Sequence, residues 1–555
     1  MSSKSTVDYI VVGGGTAGVV IASRLSQYLP SADIVLLEAG LYGIDDPIIT
    51  NPLHPFHEVV SSRYVINYST TPQSHCNNRE ILNLAGRMLS GSSGINVGVW
   101  LRASNTDYAL VAQKAGHERF TFENLLPYFR KVENYWDKDA DAKYHGFEGP
   151  IQTVPPRNYP LKSCVQKSAE ALGNHYNSDS MAGDPTGLVE LTQCYKATSE
   201  SSATRQHSGK VYDLSKVDVR CETPVTRILF DDTKRAIGVE LLSGEKIYAN
   251  KEVIVSCGSQ KTPQILMLSG IGPSSELSKH SIPQVVDSPG VGQNLFDHAS
   301  ITQYFKLRHP EKGFAVPFKG QEKPEFGQGF PWDWMLFNNI APTHLKPSLL
   351  ADNAQGADNW THPHLQEKRC HYMCIPLYFP MLVTPEYNPN IELMGGTHIA
   401  LTSLDLLPIS RGTVTLRSAD PRDEPLIDPK YMSTATDRFI LRTAVRTNLL
   451  LTETEPLKSE IFGEDPPADP QWPALTSKSS DEEIDARIAG FLQTIAHPMG
   501  TCALGTVLDD EFKVKGVQGL RVCDASVFPE PIGAMPGQTV YALAELCADL
   551  VAGGA

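Results

Sequence analysis

The sequence has few cysteines, no run of basic residues and no apolar stretch long enough to cross a bilayer. Its 10 cysteines among 555 residues follow no spacing pattern, which is typical of reduced thiols inside a cell. The net charge of −15 comes without a basic face, so neither nucleic acid nor an anionic membrane is an expected partner. No secretory leader pattern precedes the first predicted strand. These absences predict a cytoplasmic protein that acts on a small molecule.

The composition is that of an ordinary globular protein, with 41% hydrophobic and 20% charged residues. A disordered scaffold is therefore excluded. A chain of this length predicts either several domains or one large α/β enzyme that carries an inserted lobe.

A glycine-rich turn follows the first predicted strand. Residues 7–12 are a β-branched run, the next six are Gly-Gly-Gly-Thr-Ala-Gly, and residues 19–29 have helical apolar spacing. In a β–α–β unit the first glycine makes the tight turn, the third admits a pyrophosphate and the last lets the helix pack closely. The helix N-terminus then attracts the phosphates. The residues expected to hold a dinucleotide here are Gly13, Gly15, Thr16, Ala17 and Gly18.

A second predicted strand, over residues 33–37, ends on Glu38. This acid lies 20 residues after Gly18, where it is placed to accept hydrogen bonds from a ribose hydroxyl. A carboxylate at this position argues against the 2′-phosphate of NADP. The unit alone leaves FAD and NAD both open.

Six further segments resemble, in sequence and in order, the motifs of the glucose–methanol–choline (GMC) family of flavin oxidoreductases. They are residues 86–96 (GRMLSGSSGIN), 258–272 (GSQKTPQILMLSGIG), 289–298 (PGVGQNLFDH), 410–418 (SRGTVTLRS), 497–501 (HPMGT) and 519–526 (GLRVCDAS). The resemblance implies an α/β fold, with a Rossmann-like FAD-binding domain and an inserted α+β substrate-binding domain of sheet and helices. The FAD-binding domain is expected over residues 1–155, 215–307 and 491–555, and the substrate-binding domain over residues 156–214 and 308–490.

The resemblance also implies which residues contact FAD. Some family members bond FAD covalently to a histidine just before the signature asparagine, whereas this sequence has Ile95 there. We therefore expect non-covalent FAD. The further contacts expected from the motifs are Ser92, Asn96, Val97, Gly98, Val99, Val225 (against the adenine), Asp524, Ala525, Pro536 and Gly537.

His497 opens the motif in which the family carries its catalytic histidine. Oxidation of an alcohol by a flavin needs a base near neutrality, and an imidazole is suited to that task. The family usually adds a second His or Asn, ten residues before a glutamate of the last helix, but here that position is Met535. A thioether is a weak acceptor and cannot act as a base. No His or Asn occurs between Cys523 and the end of the sequence.

Three functions are compatible with this departure. In the first, His497 alone suffices to oxidise an activated or aromatic alcohol of a secondary-metabolite pathway, and Met535 shapes an apolar pocket. In the second, the FAD scaffold carries non-redox cyclase, lyase or dehydration chemistry. In the third, the chain is a flavoprotein without catalytic activity.

Two residue clusters that could form sites lie outside the motifs. The aromatic run FPWDWMLF, residues 330–337, suggests a substrate pocket lined by Trp332 and Trp334, and equally a packed lid or core. Residues 362–374 contain three His and two Cys, but the single Cys-x3-Cys has no partner pair, so no metal site is predicted.

Overall fold

The structure is a computed structural model that describes residues 5–54, 56–366, 368–381, 383–384 and 387–553. The strands of these ranges are β1 (Thr6–Val12), β2 (Ile34–Leu37), β3 (Val65–Ser69), β4 (Leu82–Gly86), β5 (Glu133–Asn134), β6 (Ile151–Gln152), β7 (Tyr176–Asn177), β8 (Gly187–Glu190), β9 (Tyr195–Ser199), β10 (Ser202–Arg205), β11 (Asp218–Arg220), β12 (Val225–Phe230), β13 (Ala236–Leu241), β14 (Lys246–Val255), β15 (Ile271–Gly272), β16 (Val286–Asp287), β17 (Ala299–Leu307), β18 (Trp334–Asn338), β19 (Tyr372–Leu377), β20 (His398–Asp405), β21 (Thr413–Thr415), β22 (Leu426–Asp428), β23 (Ile461–Glu464), β24 (Gln493–Thr494) and β25 (Leu520–Val522). The α-helices are α1 (Thr16–Tyr28), α2 (Pro47–Thr50), α3 (Phe56–Val60), α4 (Asn105–Ala115), α5 (Phe122–Val132), α6 (Lys162–Ala171), α7 (Ser208–Val211), α8 (Gly258–Leu268), α9 (Ser274–Lys279), α10 (Pro342–Ala351), α11 (Ala435–Thr452), α12 (Asp481–Phe491) and α13 (Gly537–Val551).

One sheet is built from segments far apart in the chain. Its strands run in the order β11-β2-β1-β14-β13-β12, and β25 pairs with the last residues of β14, on the edge away from β1. The strands β11, β2, β1, β14 and β25 pair in parallel, whereas β12 and β13 form an antiparallel extension. Parallel strands covered by helices are buried, which explains the continuous apolar runs of β1 and β2. The predicted β–α–β unit is confirmed by β1, α1 and β2.

A second, mostly antiparallel sheet has the order β23-β17-β20-β19-β18-β8-β7, with β24 paired to β17. The predicted domain borders need correction at two places. Strands β17 and β24 fall inside the ranges expected for FAD binding, yet their hydrogen bonds place both in this second sheet. Strand β20 lies between β17 and β19 in this sheet, whereas β21 pairs with β22 apart from it.

The two faces of the second sheet belong to different cores. In β18, Met335 and Phe337 pack in the core shared with the first sheet, while Trp334 and Leu336 pack in the core beneath α11. Side chains alternate along a strand, so neighbouring residues point in opposite directions. Within the described ranges, no helix has the length and apolar character that a membrane crossing requires.

Candidate active site

The glycine-rich turn between β1 and α1 lies against the backbone that follows β14. Gly13 has φ +96°, and a Cβ atom there would lie 2.5 Å from the carbonyl oxygen of Ser256. A Cβ at Gly18 would lie 2.0 Å from the carbonyl oxygen of Gly13. At Gly15 the nearest atom would be 3.6 Å away, an ordinary van der Waals distance, so a side-chain atom there would not clash. The fold thus requires two of the glycines, and the third leaves room for a ligand.

Helix α1 begins at this turn without a side-chain cap. Its N-cap residue is Gly15, and its first turn, which starts with Thr16 and Ala17, contains no acidic residue. The unpaired N–H groups and the positive end of the helix dipole are therefore available to an anion. A phosphate group fits this position.

The carboxylate of Glu38 lies beside the same turn. It accepts hydrogen bonds from the N–H groups of Gly14 at 2.8 Å and Gly40 at 2.6 Å. Burial raises the pKa of Glu38 to about 7, although the two hydrogen bonds oppose that shift. The carbonyl of Glu38 also accepts from the N–H of Thr223 at 2.8 Å, which brings Val225, at the start of β12, to this end of the groove.

Residues 86–96 cross over the glycine-rich turn. The N–H of Ser90 donates to the carbonyl of Gly14 at 2.7 Å, and a Cβ at Gly91 would lie 2.8 Å from the Cα of Gly15. Beyond this contact the backbone continues along the groove. The exposed or half-buried residues that follow are Ser92, Asn96, Val97 and Val99.

The side chain of Asn96 is held in place through its amide oxygen. Its Oδ1 accepts hydrogen bonds from the N–H of Gly98 at 2.9 Å and from Nη1 of Arg205 at 3.1 Å. A Cβ at Gly98, which has φ +73°, would lie 2.8 Å from the ring of Tyr195. This position therefore requires glycine for packing and backbone conformation.

The carboxylate of Asp524 connects the end of β25 to the start of α8. One oxygen accepts from the N–H of Gly258 at 2.9 Å and from the hydroxyl of Thr262 at 2.6 Å. The carbonyl of the next residue, Ala525, accepts from the N–H of Gly500 at 3.2 Å. This contact places the segment that carries the predicted catalytic histidine at the carboxyl edge of the first sheet, where α/β proteins bind ligands.

A second uncapped helix begins nearby. Helix α13 starts at Gly537, its N-cap residue is Pro536, and no side chain caps it. The structure thus brings together the predicted cofactor residues of four distant segments. The cradle at Gly15, the two uncapped helices and the buried acid of Glu38 suit a dinucleotide with a diphosphate and a ribose hydroxyl pair.

His497 is fixed by its backbone at the inner end of this arrangement. Its N–H donates to Oδ1 of Asp297 at 2.9 Å, and its imidazole is half-buried. The ring Nδ1 lies 3.1 Å from Nδ1 of His298, and the two rings meet at 81°. Burial lowers the pKa of His497 well below its usual range. The ring is therefore neutral at neutral pH and able to accept a proton.

His298 contacts the predicted catalytic histidine, and the sequence alone did not single it out. It closes the motif over 289–298, and the Asp-His pair in that motif was a signal without an assigned role. Burial lowers its pKa to about 4. The preceding carboxylate, Asp297, anchors the pair through hydrogen bonds from the side chains of Asn83, Tyr431 and Thr494.

Met535 is half-buried and packs at the edge of the core that the two sheets share. The loop before it is fixed by an ion pair. Arg369 and Asp107 approach to 2.7 Å, and they bind the carbonyl of Pro531 and the N–H of Gly533. An apolar thioether thus occupies the position at which the family usually has a second His or Asn.

The two predicted pocket tryptophans lie on different sides of the second sheet. Trp332 packs in the core shared with the first sheet. Trp334 faces the other core and contacts Lys162 and Tyr176 beside a surface cleft of ≈ 500 Å³, so the two tryptophans do not line one pocket together, and the substrate role of Trp334 stays a prediction. The alternation of β18 places it away from the groove.

The His and Cys cluster over 362–374 is a packed network. Nε2 of His364 pairs with the carbonyl of Leu407 at 2.6 Å, and Nε2 of His371 pairs with the carbonyl of His364 at 2.9 Å. Within the part of the chain that the structure describes, no group of three or more His, Cys, Asp or Glu could hold a metal ion.

A dinucleotide site beside a half-buried imidazole is the arrangement of an oxidoreductase, and the comparison with known proteins identifies its cofactor. Family models described as GMC oxidoreductase match residues 7–300 and residues 408–544. The chain belongs to the GMC oxidoreductase family and binds FAD.

Individual proteins are similar to this chain over almost its whole length. The GMC-type oxidoreductase acuG of Aspergillus aculeatus is 40% identical over 550 residues and covers 99% of each chain. An alcohol dehydrogenase [acceptor] of Pseudomonas putida is 32% identical, over 98% of this chain and 95% of its own. A single-residue variant of Aspergillus oryzae formate oxidase superposes with a TM-score of 0.86 at 26% identity, over 99% of each chain.

Proposed function

We propose that this chain oxidises an apolar, activated alcohol, with His497 as the base that takes the hydroxyl proton. The observation that carries the proposal is the half-buried, neutral imidazole of His497, anchored by Asp297 and His298 at the inner end of the FAD groove. When bound, FAD supplies a hydride acceptor at N5. Once the hydroxyl group of the substrate has given its proton to His497, the carbon that bears it can release a hydride. The substrate then becomes a carbonyl product.

The inner face of the second sheet supports an apolar substrate. Register pairs Ser300 with Leu404, Thr302 with Thr402, and Tyr304 with Ala400. The hydroxyls of Thr302 and Thr402 hydrogen-bond to each other at 2.9 Å, so they satisfy each other and leave little polarity for a ligand. The neighbouring inner-face residues of β18 and β19 are apolar: Met335, Phe337, Met373, Ile375 and Leu377.

The polar groups of a polar or charged substrate would find no partners on this face. Binding such a substrate would therefore cost more free energy than binding an apolar one. We infer a ring-bearing alcohol such as a benzylic or allylic metabolite. We place the step in the cytoplasm, in secondary metabolism, and one support is that all 10 cysteines are free thiols. We also propose that the second sheet and its helices form the substrate-binding domain.

Non-redox chemistry is the second candidate, and Met535 is the only residue that suggests it. A cyclase or dehydratase step still needs acid and base groups, and one neutral imidazole supplies only the base. The relatives described above are named as oxidoreductases and dehydrogenases. Alcohol oxidation is therefore the better-supported function.

Anaerobic mixing with alcohols tests the proposal. The purified protein is mixed with 4-methoxybenzyl alcohol and with choline while the flavin absorbance is followed. We expect the aryl alcohol to bleach the flavin and choline to leave it oxidised. A product formed without bleaching would support the non-redox candidate, and bleaching by choline alone would overturn the apolar assignment.

His497→Ala should slow bleaching by about 10²–10⁴-fold while FAD stays bound, because a proton acceptor and not a cofactor contact is lost. The matched control is His344→Ala, a histidine exposed on α10, which should bleach at the parental rate. A rate for His497→Ala close to that of the parent would show that the base lies elsewhere.

A further inference from the structure

We propose that His298 is a positioning residue that fixes the tautomer of His497, so that Nε2 of His497 faces the substrate with a lone pair. The inference rests on the proposed function and deepens it. It starts from the 3.1 Å contact between the two Nδ1 atoms. Two neutral rings can share such a contact only if one Nδ1 carries a proton and the other does not.

The groups around His298 determine which of the two rings donates the proton in the Nδ1–Nδ1 hydrogen bond. Its Nε2 is fully buried, and the carbonyl groups that face the ring are those of Leu406 and Ile532. No partner of ideal hydrogen-bond geometry reaches this Nε2 among the described residues. A carbonyl oxygen attracts an N–H and repels a lone pair, so the proton of His298 belongs on Nε2.

With its proton on Nε2, His298 presents a lone pair at Nδ1. The Nδ1 of His497 must then be the donor of the shared hydrogen bond. That leaves the lone pair of His497 on Nε2, the atom that accepts the hydroxyl proton. After proton transfer, the cationic ring keeps the same hydrogen bond, which becomes stronger because its donor is now charged. His298 thus prepares the base and stabilises its protonated form.

The carbonyl of Ile532 is itself held in place. Arg369 donates from Nη2 to the carbonyl of Pro531 at 3.2 Å, and Asp107 accepts from the N–H of Gly533 at 3.1 Å. The buried ion pair between these two side chains therefore locks the peptide that faces His298. The charged groups near the histidine pair are Asp107 on this side and Asp297 at the backbone of His497.

Three substitutions separate this role from simple packing. His298→Asn places an amide oxygen near the position of Nδ1 and retains a neutral acceptor. His298→Leu has a similar size but no acceptor. Flavin bleaching by 4-methoxybenzyl alcohol under anaerobic conditions gives a limiting rate and an alcohol dissociation constant for each. We expect the leucine variant to lose about 10²-fold or more in limiting rate, with an unchanged dissociation constant and full FAD content. The asparagine variant should stay within about tenfold of the parent.

The third variant, His298→Asp, supplies a charged acceptor. An opposite charge within hydrogen-bond distance raises an imidazole pKa by about 1–3 units. As the pH is lowered, the bleaching rate of this variant should therefore begin to fall at a higher pH than the parental rate does. Equal losses in the leucine and asparagine variants, or a pH profile unmoved by the aspartate, would overturn the proposal. If the leucine variant fails to fold, the asparagine and aspartate variants still decide it.

A measurement without turnover keeps this inference separate from the proposed function. Nitrogen-15 NMR of the FAD-loaded protein, labelled at histidine, reports which ring nitrogens carry protons. His497→Asn and His298→Asn assign the two signals. We expect the proton on Nδ1 of His497 and on Nε2 of His298. The reverse tautomers would overturn the inference even if alcohols bleach the flavin, and the expected ones would support it even if no alcohol does.

Discussion

The indole N–H of Trp332 donates a 2.7 Å hydrogen bond to the carbonyl of Trp334, although the two rings lie in different cores. Trp332 faces the core that the two sheets share, and Trp334 faces the core beneath α11. Two aromatic residues that look equivalent in the sequence therefore have separate tasks.

Trp332→Phe should raise the dissociation constant of an aryl alcohol several-fold, because it reshapes the side of the sheet that faces the groove. Trp334→Phe should leave that constant unchanged. It should lower the free energy of unfolding by about 1 kcal/mol, because the 3.0 Å hydrogen bond to the carbonyl of Lys162 is lost. Bleaching titrations and denaturant unfolding measure the two effects. An altered alcohol affinity in the Trp334 variant would contradict the assignment of faces.

Features that depend on residues close together in the chain could be predicted well from the sequence. The turn from Gly13 to Gly18 and the acid at Glu38 follow from spacing within one β–α–β unit, and the structure places them around one groove. The sequence could not separate Trp332 from Trp334, because residues two apart in a strand share a face, whereas Trp332 precedes β18 and does not follow its alternation. His298 was missed because its role depends on contact with His497, 199 residues away.

The two domain borders were also misplaced because they depend on contacts between residues far apart in the sequence. Strand β17 follows directly on a cofactor motif, so its sequence position suggested the FAD-binding domain. Its partner β20 lies about a hundred residues further on, and only that pairing assigns it to the second sheet.

Gly15→Ala and Gly18→Ala separate cofactor binding from folding. The first adds a methyl group that meets no atom closer than 3.6 Å, and the φ of −73° at Gly15 suits alanine. We expect unchanged stability of the flavin-free protein and at least about tenfold weaker FAD binding, because the methyl group occupies the approach of the diphosphate. The second puts a Cβ atom 2.0 Å from a carbonyl oxygen, so the flavin-free protein itself should be destabilised. Thermal unfolding and FAD titration measure both, and equal loss of stability in the two variants would refute this division.

The raised pKa of Glu38 predicts a pH dependence of stability. At pH values between the unfolded pKa and about 7, the folded chain holds a proton on Glu38 that the unfolded chain has released. Stability of the flavin-free protein should therefore fall as the pH rises towards 7, by up to about 3 kcal/mol from this group. Glu38→Gln should flatten the curve, whereas Glu118→Gln, at an exposed position, should leave it unchanged. Urea unfolding from about pH 5 to pH 8 decides the question, and a slope that survives Glu38→Gln would contradict it.

Because Ile95 stands where some family members have a histidine bonded to FAD, we expect denaturation to release the FAD. The residue is buried against Met88 and Ile49 and has no nucleophilic atom to bond a flavin. Acid precipitation should leave yellow flavin in the supernatant and a colourless pellet. Flavin that remains with the pellet would show a covalent link to another residue.

The parallel sheet has a consequence for the order of events during synthesis. Strand β25, which carries Asp524 at its end, pairs with β14, and most strands of the second sheet lie between these two in the chain. The ribosome therefore makes most of the second sheet while the first sheet still lacks β25. A chain that stalls before residue 520 exposes an open sheet edge at β14 to aggregation.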